Sequence, residues 1–317
     1  MSYLVVTSCT GRKRFPPEPG LLSLPGSQVQ PCQSLSEVAH TWVEGLSKAP
    51  GFPARKLYVG RTLLDAQFVE NALLGARFKI VSAGVGLIDA DDHIPSYELT
   101  VSGEAAQWLA SHDHSVTEWW AALNEARQRS KSPLSDLILS SQSRCILIGL
   151  PSRYLEMVAQ DLDRVPAENR SNVRIFTSKL GLEVLSPGWH RNVLPYDDRL
   201  DALGSPCRGT RTDFAQRAMR HYVEHLHATD LDLDEGTNAV LKWLDAIGPA
   251  PVLPKRRRLE DPEIMALLRE NWHAHKGQSG RLLRFLRDTE LVACEQGRFR
   301  DLWLQLSASK QLSLEGV

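Results

Sequence analysis

Cysteine is scarce in this sequence, and its cysteines form no recognisable pattern. There are five cysteines in 317 residues, an odd number, and no two of them are spaced as a CxxC pair. Neither a disulfide framework nor a cysteine-based zinc site is therefore expected, and a reducing, cytoplasmic location is expected instead. The cysteines are Cys9, Cys32, Cys145, Cys207 and Cys294.

Long apolar runs and an excess of charge of either sign are also missing. No uninterrupted apolar run approaches the roughly 18 residues of a membrane span, and residues 1–9 lack the basic and long apolar segments of a secretory leader. A membrane protein is therefore not expected. The formal net charge of −1 excludes a global attraction to nucleic acids or acidic membranes but leaves a local basic surface open.

Strand-like and helix-like segments alternate along most of the chain. This alternation predicts an α/β fold, with a Rossmann-like, mostly parallel sheet flanked by helices. We expect this domain to cover residues 1–248, a proline-rich and basic linker to cover 249–258, and a small all-helical, helix-turn-helix-like domain to cover 259–317. The predicted strands are 3–7, 78–81, 144–149, 173–176 and, as a short candidate, 183–185; the predicted helices of the larger domain are 34–46, 61–74, 104–110, 116–128, 152–162, 212–228 and 238–247.

A small polar loop with a thiol and two bases follows the first predicted strand directly. In α/β proteins, such a loop often contacts a phosphate or a nucleotide. Cys9 is a candidate nucleophile because the neighbouring bases would lower the pKa of its thiol. Lys13 is a candidate to attack or bind a substrate, and Ser8 and Arg12 are candidate contacts. The alternative is a small buried thiol beside solvated bases.

The strand predicted at 78–81 runs into small residues and then into acids. Ser82, Gly84 and Gly86 remove side-chain bulk where the strand ends, so a ligand could approach closely there, and Tyr97 closes the segment. A plain strand-to-loop turn is the alternative. For the acids, an exposed polar turn is favoured over binding ribose, holding a metal or acting as a base. These acids are Asp89, Asp91 and Asp92.

An irregular segment at 186–211 precedes the helix predicted at 212–228. A loop of this length in a compact domain is usually functional, and its arginines could bind an anion together with the helix N-terminus. A solvated loop with a capped helix is an equal alternative. No cofactor and no metal is expected, since His112 and His114 form too weak a pattern for a metal site. The candidate contacts are His190, Arg191, Arg208 and Arg211.

Three short motifs occur in a fixed order in the first third of the chain. They are Cys9-x3-Lys13, then Lys56-Leu-Tyr58, and then Ser82-Ala-Gly-Val-Gly-Leu followed by acids and Tyr97. As a set, they resemble the YaaA-like proteins and the lysine-transferring part of archaeosine synthase, which is itself related to the tRNA-guanine transglycosylases. The resemblance implies a nucleobase, nucleotide or nucleic-acid ligand, with deazaguanine chemistry as its sharpest version. The implied lining residues are Cys9, Lys13, Lys56, Tyr58, Ser82, Gly84 and Tyr97.

These features predict an enzyme that acts on a nucleobase or nucleotide, with a 7-deazaguanine-type base attached to nucleic acid or protein as the sharpest version. Cys9 or Lys13 would be the nucleophile, while Lys56 and the arginines of 191–211 would hold an anionic group. A role in stress response or phage defence is implied by the resemblance alone. The alternatives are a non-catalytic DNA- or RNA-binding protein of YaaA type, whose C-terminal bases contact phosphates, and an adaptor that binds a protein partner through its C-terminal domain.

Overall fold

The structure is a computed structural model, which describes residues 2–17, 34–252 and 254–315. The chain divides into two compact units, Met1–Pro251 and Val252–Val317. Residues 18–33, which include Cys32, lie outside the described residues. No helix of the described ranges is both long and apolar enough to cross a membrane.

The larger unit is built around a five-stranded, mostly parallel sheet, which confirms the predicted α/β class. Its strand order is β4-β3-β1-β6-β7. The first strand pairs in parallel with both β3 and β6, and β6 pairs in parallel with β7, while β4 runs antiparallel to β3. Two short strands, β2 and β5, form a separate ribbon. The strands are β1 (Tyr3–Ser8), β2 (Gly51–Pro53), β3 (Arg77–Ser82), β4 (Gly86–Asp89), β5 (His93–Pro95), β6 (Cys145–Gly149) and β7 (Val173–Phe176).

Helices flank this sheet in two groups. The helices α3 and α9 pack together over β1 and β6, whereas α1, α5 and α7 pack side by side. The ten helices of the larger unit are α1 (Leu35–Ser47), α2 (Ala54–Leu57), α3 (Arg61–Ala72), α4 (Glu104–Ser111), α5 (Val116–Ala126), α6 (Pro133–Ser140), α7 (Ser152–Leu162), α8 (Lys179–Val184), α9 (Phe214–Glu224) and α10 (Leu233–Ile247), as far as the structure describes this unit.

Local sequence explains where several of these elements begin. The hydroxyl of Ser34 accepts a hydrogen bond from the backbone N–H of Glu37, and the Glu37 carboxylate accepts one from the backbone N–H of Ser34, so α1 starts with a capping box. All five residues of β6 are buried, as a parallel strand covered on both faces requires. The predicted strands and helices at these positions are confirmed.

Three predictions about local structure were wrong or incomplete. Residues 183–185 do not form a strand, because α8 runs through Val184 and Leu185 caps it. The segment from Ser82 to Tyr97 is not one loop, because the chain turns back at Gly86 to form β4 along β3. Residues 133–140, for which no element was predicted, form α6, with proline in its first turn.

The smaller unit is helical. Its core contains Ile264, Leu268, Leu282 and Leu286, all fully buried. The residue Arg257, within the segment predicted as a linker, pairs with Val292 through an isolated parallel bridge. This unit contains α11 (Asp261–Asn271), α12 (Ser279–Arg284), a short π-helical turn (Phe285–Thr289) and α13 (Gln296–Glu315).

Candidate active site at the carboxyl edge of the sheet

Three neighbouring parallel strands end at one place on the sheet. Cys9 directly follows β1, Ser82 is the last residue of β3, and Tyr154 lies in the first turn of α7, just after β6. The Cys9 Sγ atom is 3.0 Å from the Tyr154 hydroxyl and 3.9 Å from the Tyr97 hydroxyl. After β1, the chain first adds β3 on one side of β1 and later adds β6 on the other side. The contact between Cys9 and Tyr154 therefore lies at the point where the strand order reverses. Ligands of open α/β sheets bind at that position.

Tyr97 is the centre of a buried hydrogen-bond network. Its hydroxyl lies 2.6 Å from that of Tyr58 and 2.5 Å from that of Ser82. The Ser82 oxygen also accepts hydrogen bonds from the backbone N–H groups of Gly84 (3.2 Å) and Val85 (3.1 Å). The Tyr58 hydroxyl donates to the same Ser82 oxygen (3.1 Å), and either hydroxyl of the Ser82–Tyr97 pair can be the donor. The Tyr97 hydroxyl also faces the sulfur of Cys9.

Glycine at position 84 is required by the close approach of Tyr97. A Cβ atom at Gly84 would lie 2.4 Å from Cε2 of Tyr97, a separation that packed atoms do not adopt. Two indole N–H groups hold this turn from outside: Trp42 donates to the carbonyl of Gly84 (2.7 Å) and Trp119 donates to that of Ala83 (2.8 Å). The small residues after β3 therefore bring an aromatic side chain against the backbone.

The three tyrosines of this network are neutral phenols. Burial raises the pKa of Tyr58, Tyr97 and Tyr154 well above the ordinary value, because the phenolate would be poorly solvated there. A neutral phenol can donate a hydrogen bond to an oxygen or nitrogen atom that gains negative charge in a reaction. The chemistry available to the tyrosines is therefore donation, not general-base catalysis.

Lys13 supplies an amine at this place. Its backbone pairs with Tyr58 in an isolated antiparallel bridge, and its Nζ atom lies 4.1 Å from the ring centroid of Tyr97. Burial lowers the pKa of Lys13, and the interactions with Cys9 and Glu98 raise it by less. A lysine of lowered pKa has a larger neutral fraction near pH 7, which is the form that can act as a nucleophile or base.

We call Cys9, Lys13, Tyr58, Ser82, Tyr97 and Tyr154 the edge cluster. The structure places Cys9 and Lys13 of the first loop close to Tyr97, which also contacts Ser82 and Gly84 of the small-residue segment. Tyr154 was not among the predicted residues. The rule that ligands bind beyond the carboxyl ends of parallel strands points to it, since it lies five residues after the end of β6, a predicted strand.

A second residue that sequence reasoning missed closes the same edge from above. The side-chain amide of Gln216, on α9, donates to the carbonyl of Gly149 (2.8 Å), to the Thr7 hydroxyl (3.1 Å) and, more weakly, to the Ser8 hydroxyl (3.4 Å). It thereby ties α9 to the ends of β1 and β6. Ser8 is fully buried beneath it, so Ser8 supports the edge and does not face solvent. The amphipathic pattern of α9 gives Gln216 no distinctive signal.

The remaining candidate residues of the three motifs are not members of the edge cluster. Gly86 begins β4 with a φ of +70°, a backbone conformation that favours glycine. Arg12 is exposed, and its carbonyl accepts a hydrogen bond from the N–H of Val59. Lys56 is exposed on α2.

The irregular segment 186–211, which we call the arginine-containing loop, is held in place by contacts with a buried arginine of α9. Arg217 is 1% exposed and binds the carboxylates of Asp213 (2.6 Å) and Asp201 (2.9 Å), and it also donates to two loop carbonyls. Arg208 and Arg211 are exposed on this loop, and the Arg208 carbonyl accepts a hydrogen bond from Arg61 at the start of α3.

The other two predicted anion contacts have partners away from the cluster. His190 forms a hydrogen bond with the carbonyl of Leu185, and Arg191 forms an ion pair with Asp234 in the first turn of α10. His190 and Arg191 therefore contact residues that are not part of the edge cluster.

The predicted acids and histidines have ordinary surface contacts. Asp89 pairs with Lys79 and Asp91 with Arg55. His112 bonds to the carbonyl of Trp108.

A separate group of donors could in principle hold a metal ion. Among the described residues, Cys207, Glu224 and His225 place donor atoms close enough together to share one ion. Arg220 already binds the Glu224 carboxylate at 2.6 Å, and burial raises the pKa of Cys207 to about 11. This group therefore has the properties of an ion pair beside a neutral thiol.

Comparison with known proteins gives no match: no family model, no curated protein and no solved structure is similar to this chain.

Proposed function

We propose that this protein is an enzyme that acts on a nucleobase or nucleotide, with the edge cluster as its active site. The sharpest version is a 7-deazaguanine-type base attached to nucleic acid or protein, in stress response or phage defence, as the resemblance to YaaA-like proteins and archaeosine synthase implies. The fold that accompanies this proposal is a Rossmann-like sheet.

One observation carries the proposal. The carboxyl edge of β1, β3 and β6, where the strand order reverses, holds three kinds of group together: a lysine, a thiol and neutral phenols. Burial lowers the pKa of this lysine. Titratable groups with perturbed pKa values at a ligand-binding position are characteristic of active sites. The assignment to nucleobases is an analogy from the fold and the motifs.

In this proposal, Lys13 is the reacting amine and Cys9 the second candidate nucleophile. Tyr97 and Tyr58 donate hydrogen bonds to the oxygen or nitrogen atom of the base that gains charge. The exposed bases Arg12 and Lys56 contact the phosphate or the nucleic acid to which the base is attached.

The test begins by identifying a ligand. The purified protein is denatured, the released small molecules are identified by mass spectrometry, and the same compounds are then incubated with the native protein to detect their conversion. We expect a nucleobase or nucleotide, whose conversion falls at least tenfold in Lys13→Ala or Cys9→Ala. Lys48→Ala, an exposed lysine at the end of α1, is the matched control and should leave the conversion unchanged. Conversion that survives both Lys13→Ala and Cys9→Ala in folded protein would refute the assignment.

The second candidate is a non-catalytic DNA- or RNA-binding protein of YaaA type. It is favoured by the exposed arginines of α12, Arg281 and Arg284. A salt-dependent gel shift that persists in Lys13→Ala and Cys9→Ala would support this candidate. Loss of a pull-down partner upon truncation after Pro254, with ligand binding intact, would instead identify the smaller unit as a protein-docking module.

A further inference from the structure

The smaller unit contains a cavity of about 540 Å³, within the size range of small-molecule sites. Four of its lining residues are arginines, Arg256, Arg258, Arg287 and Arg298. We call this cavity the arginine pocket. It belongs to neither the edge cluster nor any predicted site, and its argument is independent of the proposed enzymatic function.

Backbone pairing determines which side chains line this pocket. The N–H of Arg257 donates to the carbonyl of Leu291 (2.7 Å), and the N–H of Ala293 donates to the carbonyl of Arg257 (2.8 Å). Side chains alternate along such an extended segment, so Arg256 and Arg258 share one face. Arg257 lies on the other face, where it forms an ion pair with Glu290.

Backbone carbonyls hold three of the guanidinium groups in position. Arg287 donates to the carbonyl of Cys294 through both Nε (3.1 Å) and Nη2 (2.7 Å). Arg256 donates to the carbonyl of Arg287 (2.8 Å), and Arg298 to that of Leu259 (2.9 Å). Carbonyl contacts fix the guanidinium planes without neutralising their charge. A ligand would therefore lose little free energy in ordering these side chains.

Carboxylates compensate only part of the positive charge. Asp288 pairs with Arg256 (3.2 Å) and Asp261 pairs with Arg298 (2.6 Å), both at exposed positions. Arg287 pairs with no carboxylate in the part of the chain that the structure describes.

The other two charged lining residues leave the balance positive. Glu295 also lines the pocket, and its ionised carboxylate accepts a hydrogen bond from the backbone N–H of Arg298 and interacts electrostatically with Arg287. Arg258 forms neither a hydrogen bond nor an ion pair with any described residue. The pocket therefore retains positive charge that an anion would balance.

We propose that the arginine pocket binds a ligand bearing a chain of two or three phosphates. Like charges around one cavity repel each other, and a bound anion removes that cost. Guanidinium groups match phosphate oxygens with paired N–H donors, and several fixed guanidiniums suit a phosphate chain better than a single orthophosphate. A concave pocket also accepts the end of a small ligand more readily than the continuous backbone of a duplex.

The experiment measures binding to the intact chain by calorimetry. The probes are inorganic tripolyphosphate, a nucleoside triphosphate, orthophosphate and a single-stranded oligonucleotide. The test variant is Arg258→Ala, because an arginine that bonds to none of the described residues can be lost without disturbing the fold. The matched control is Arg300→Ala, an exposed arginine of α13 outside the pocket. Circular dichroism checks that both variants are folded.

We expect tripolyphosphate to bind at least tenfold more tightly than orthophosphate. Arg258→Ala should weaken tripolyphosphate binding at least tenfold, and Arg300→Ala less than twofold. Equal affinities for tripolyphosphate and the nucleoside triphosphate would indicate that the pocket recognises the phosphates alone. Tighter binding of the nucleoside triphosphate would indicate a further contact to its nucleoside. Either result supports the proposal. Absence of tripolyphosphate binding, equal effects of the two variants, or oligonucleotide binding that tripolyphosphate does not displace would overturn it.

Discussion

The edge cluster and the arginine pocket use opposite physical means. In the edge cluster, the phenols and hydroxyls are buried and neutral, and the amine of Lys13, whose pKa is lowered, lies beside them. In the arginine pocket, four guanidiniums line an open cavity, and carboxylates compensate only part of their positive charge. Burial changes the pKa of a group and so its reactivity. A cluster of exposed charges attracts a ligand but leaves the reactivity of the charged side chains unchanged. The first arrangement therefore suits a reaction and the second suits binding.

The largest expected effect tests how tightly the edge cluster is packed. Gly84→Ala should lower the free energy of unfolding by about 1–3 kcal/mol, because the added methyl group overlaps the ring of Tyr97. Gly11→Ala is the matched control. It lies in the loop after β1, and its new methyl group would have only an ordinary contact with Thr100. Urea denaturation measures both variants, and equal effects would show that the turn after β3 is not closely packed.

The next effect concerns the hydroxyl of Tyr97. Tyr97→Phe should lower the free energy of unfolding by about 1–2 kcal/mol, because Tyr58 and Ser82 then lose a buried hydrogen-bond partner. Tyr3→Phe removes an exposed hydrogen bond to Asp230 and should cost less than about 0.5 kcal/mol. If chemical denaturation gives the two variants the same cost, the network around Tyr97 does not stabilise the fold.

Salt concentration should affect the arginine pocket strongly and the edge cluster only weakly. Raising NaCl from roughly 50 mM to roughly 500 mM should weaken tripolyphosphate binding at the arginine pocket at least tenfold, because counterions screen exposed charges. The titration midpoint of Lys13 should move little over the same range, since burial, not a neighbouring exposed charge, is the main cause of its lowered pKa. Calorimetry and amine labelling measure the two quantities. Equal sensitivity to salt would remove the distinction drawn between the regions.

The smallest expected effect is a gain in stability. The pKa of Lys13 is lower in the folded chain, so between the folded and unfolded values the unfolded state binds more protons and stability rises with pH. Below that range the buried charge destabilises the fold. Lys13→Met should therefore stabilise the protein at pH 7 by less than about 1 kcal/mol and flatten this pH dependence, while Lys48→Met should change neither. Thermal unfolding between pH 7 and pH 10 tests this, and a clear loss of stability in Lys13→Met would contradict it.

Sequence patterns predicted the scaffold better than the site. The capped helix α1, the buried strand β6 and the strand-to-loop position of Cys9 follow from local rules, because capping and hydrophobic runs act over a few residues. The association of Tyr58 with Tyr97 and Ser82 was implied only by a resemblance. The contacts of Tyr154 and Gln216 with Cys9 and Gly149 depend on strand order and on how α9 packs, which no local pattern specifies.

In the arginine-containing loop, the sequence pattern grouped residues whose partners in the folded chain it does not indicate. Sequence composition grouped His190, Arg191, Arg208 and Arg211 as one anion site. In the folded chain Arg191 pairs with Asp234, and the loop is held by Arg217, a helix residue whose burial no periodic pattern indicates. Composition identifies charged residues but not the partners that neutralise them, because those partners are distant in sequence.

The central claim is that Lys13 is an amine of lowered pKa within a reactive cluster. It is tested most directly by labelling the native protein with a limiting amount of isotope-coded acetic anhydride from pH 6 to pH 11 and quantifying each lysine by peptide mass spectrometry. The midpoint of the labelling curve reports the pKa independently of access. The account predicts that the midpoint for Lys13 lies clearly below that for the exposed Lys48. A midpoint equal to or above that of Lys48 would contradict it.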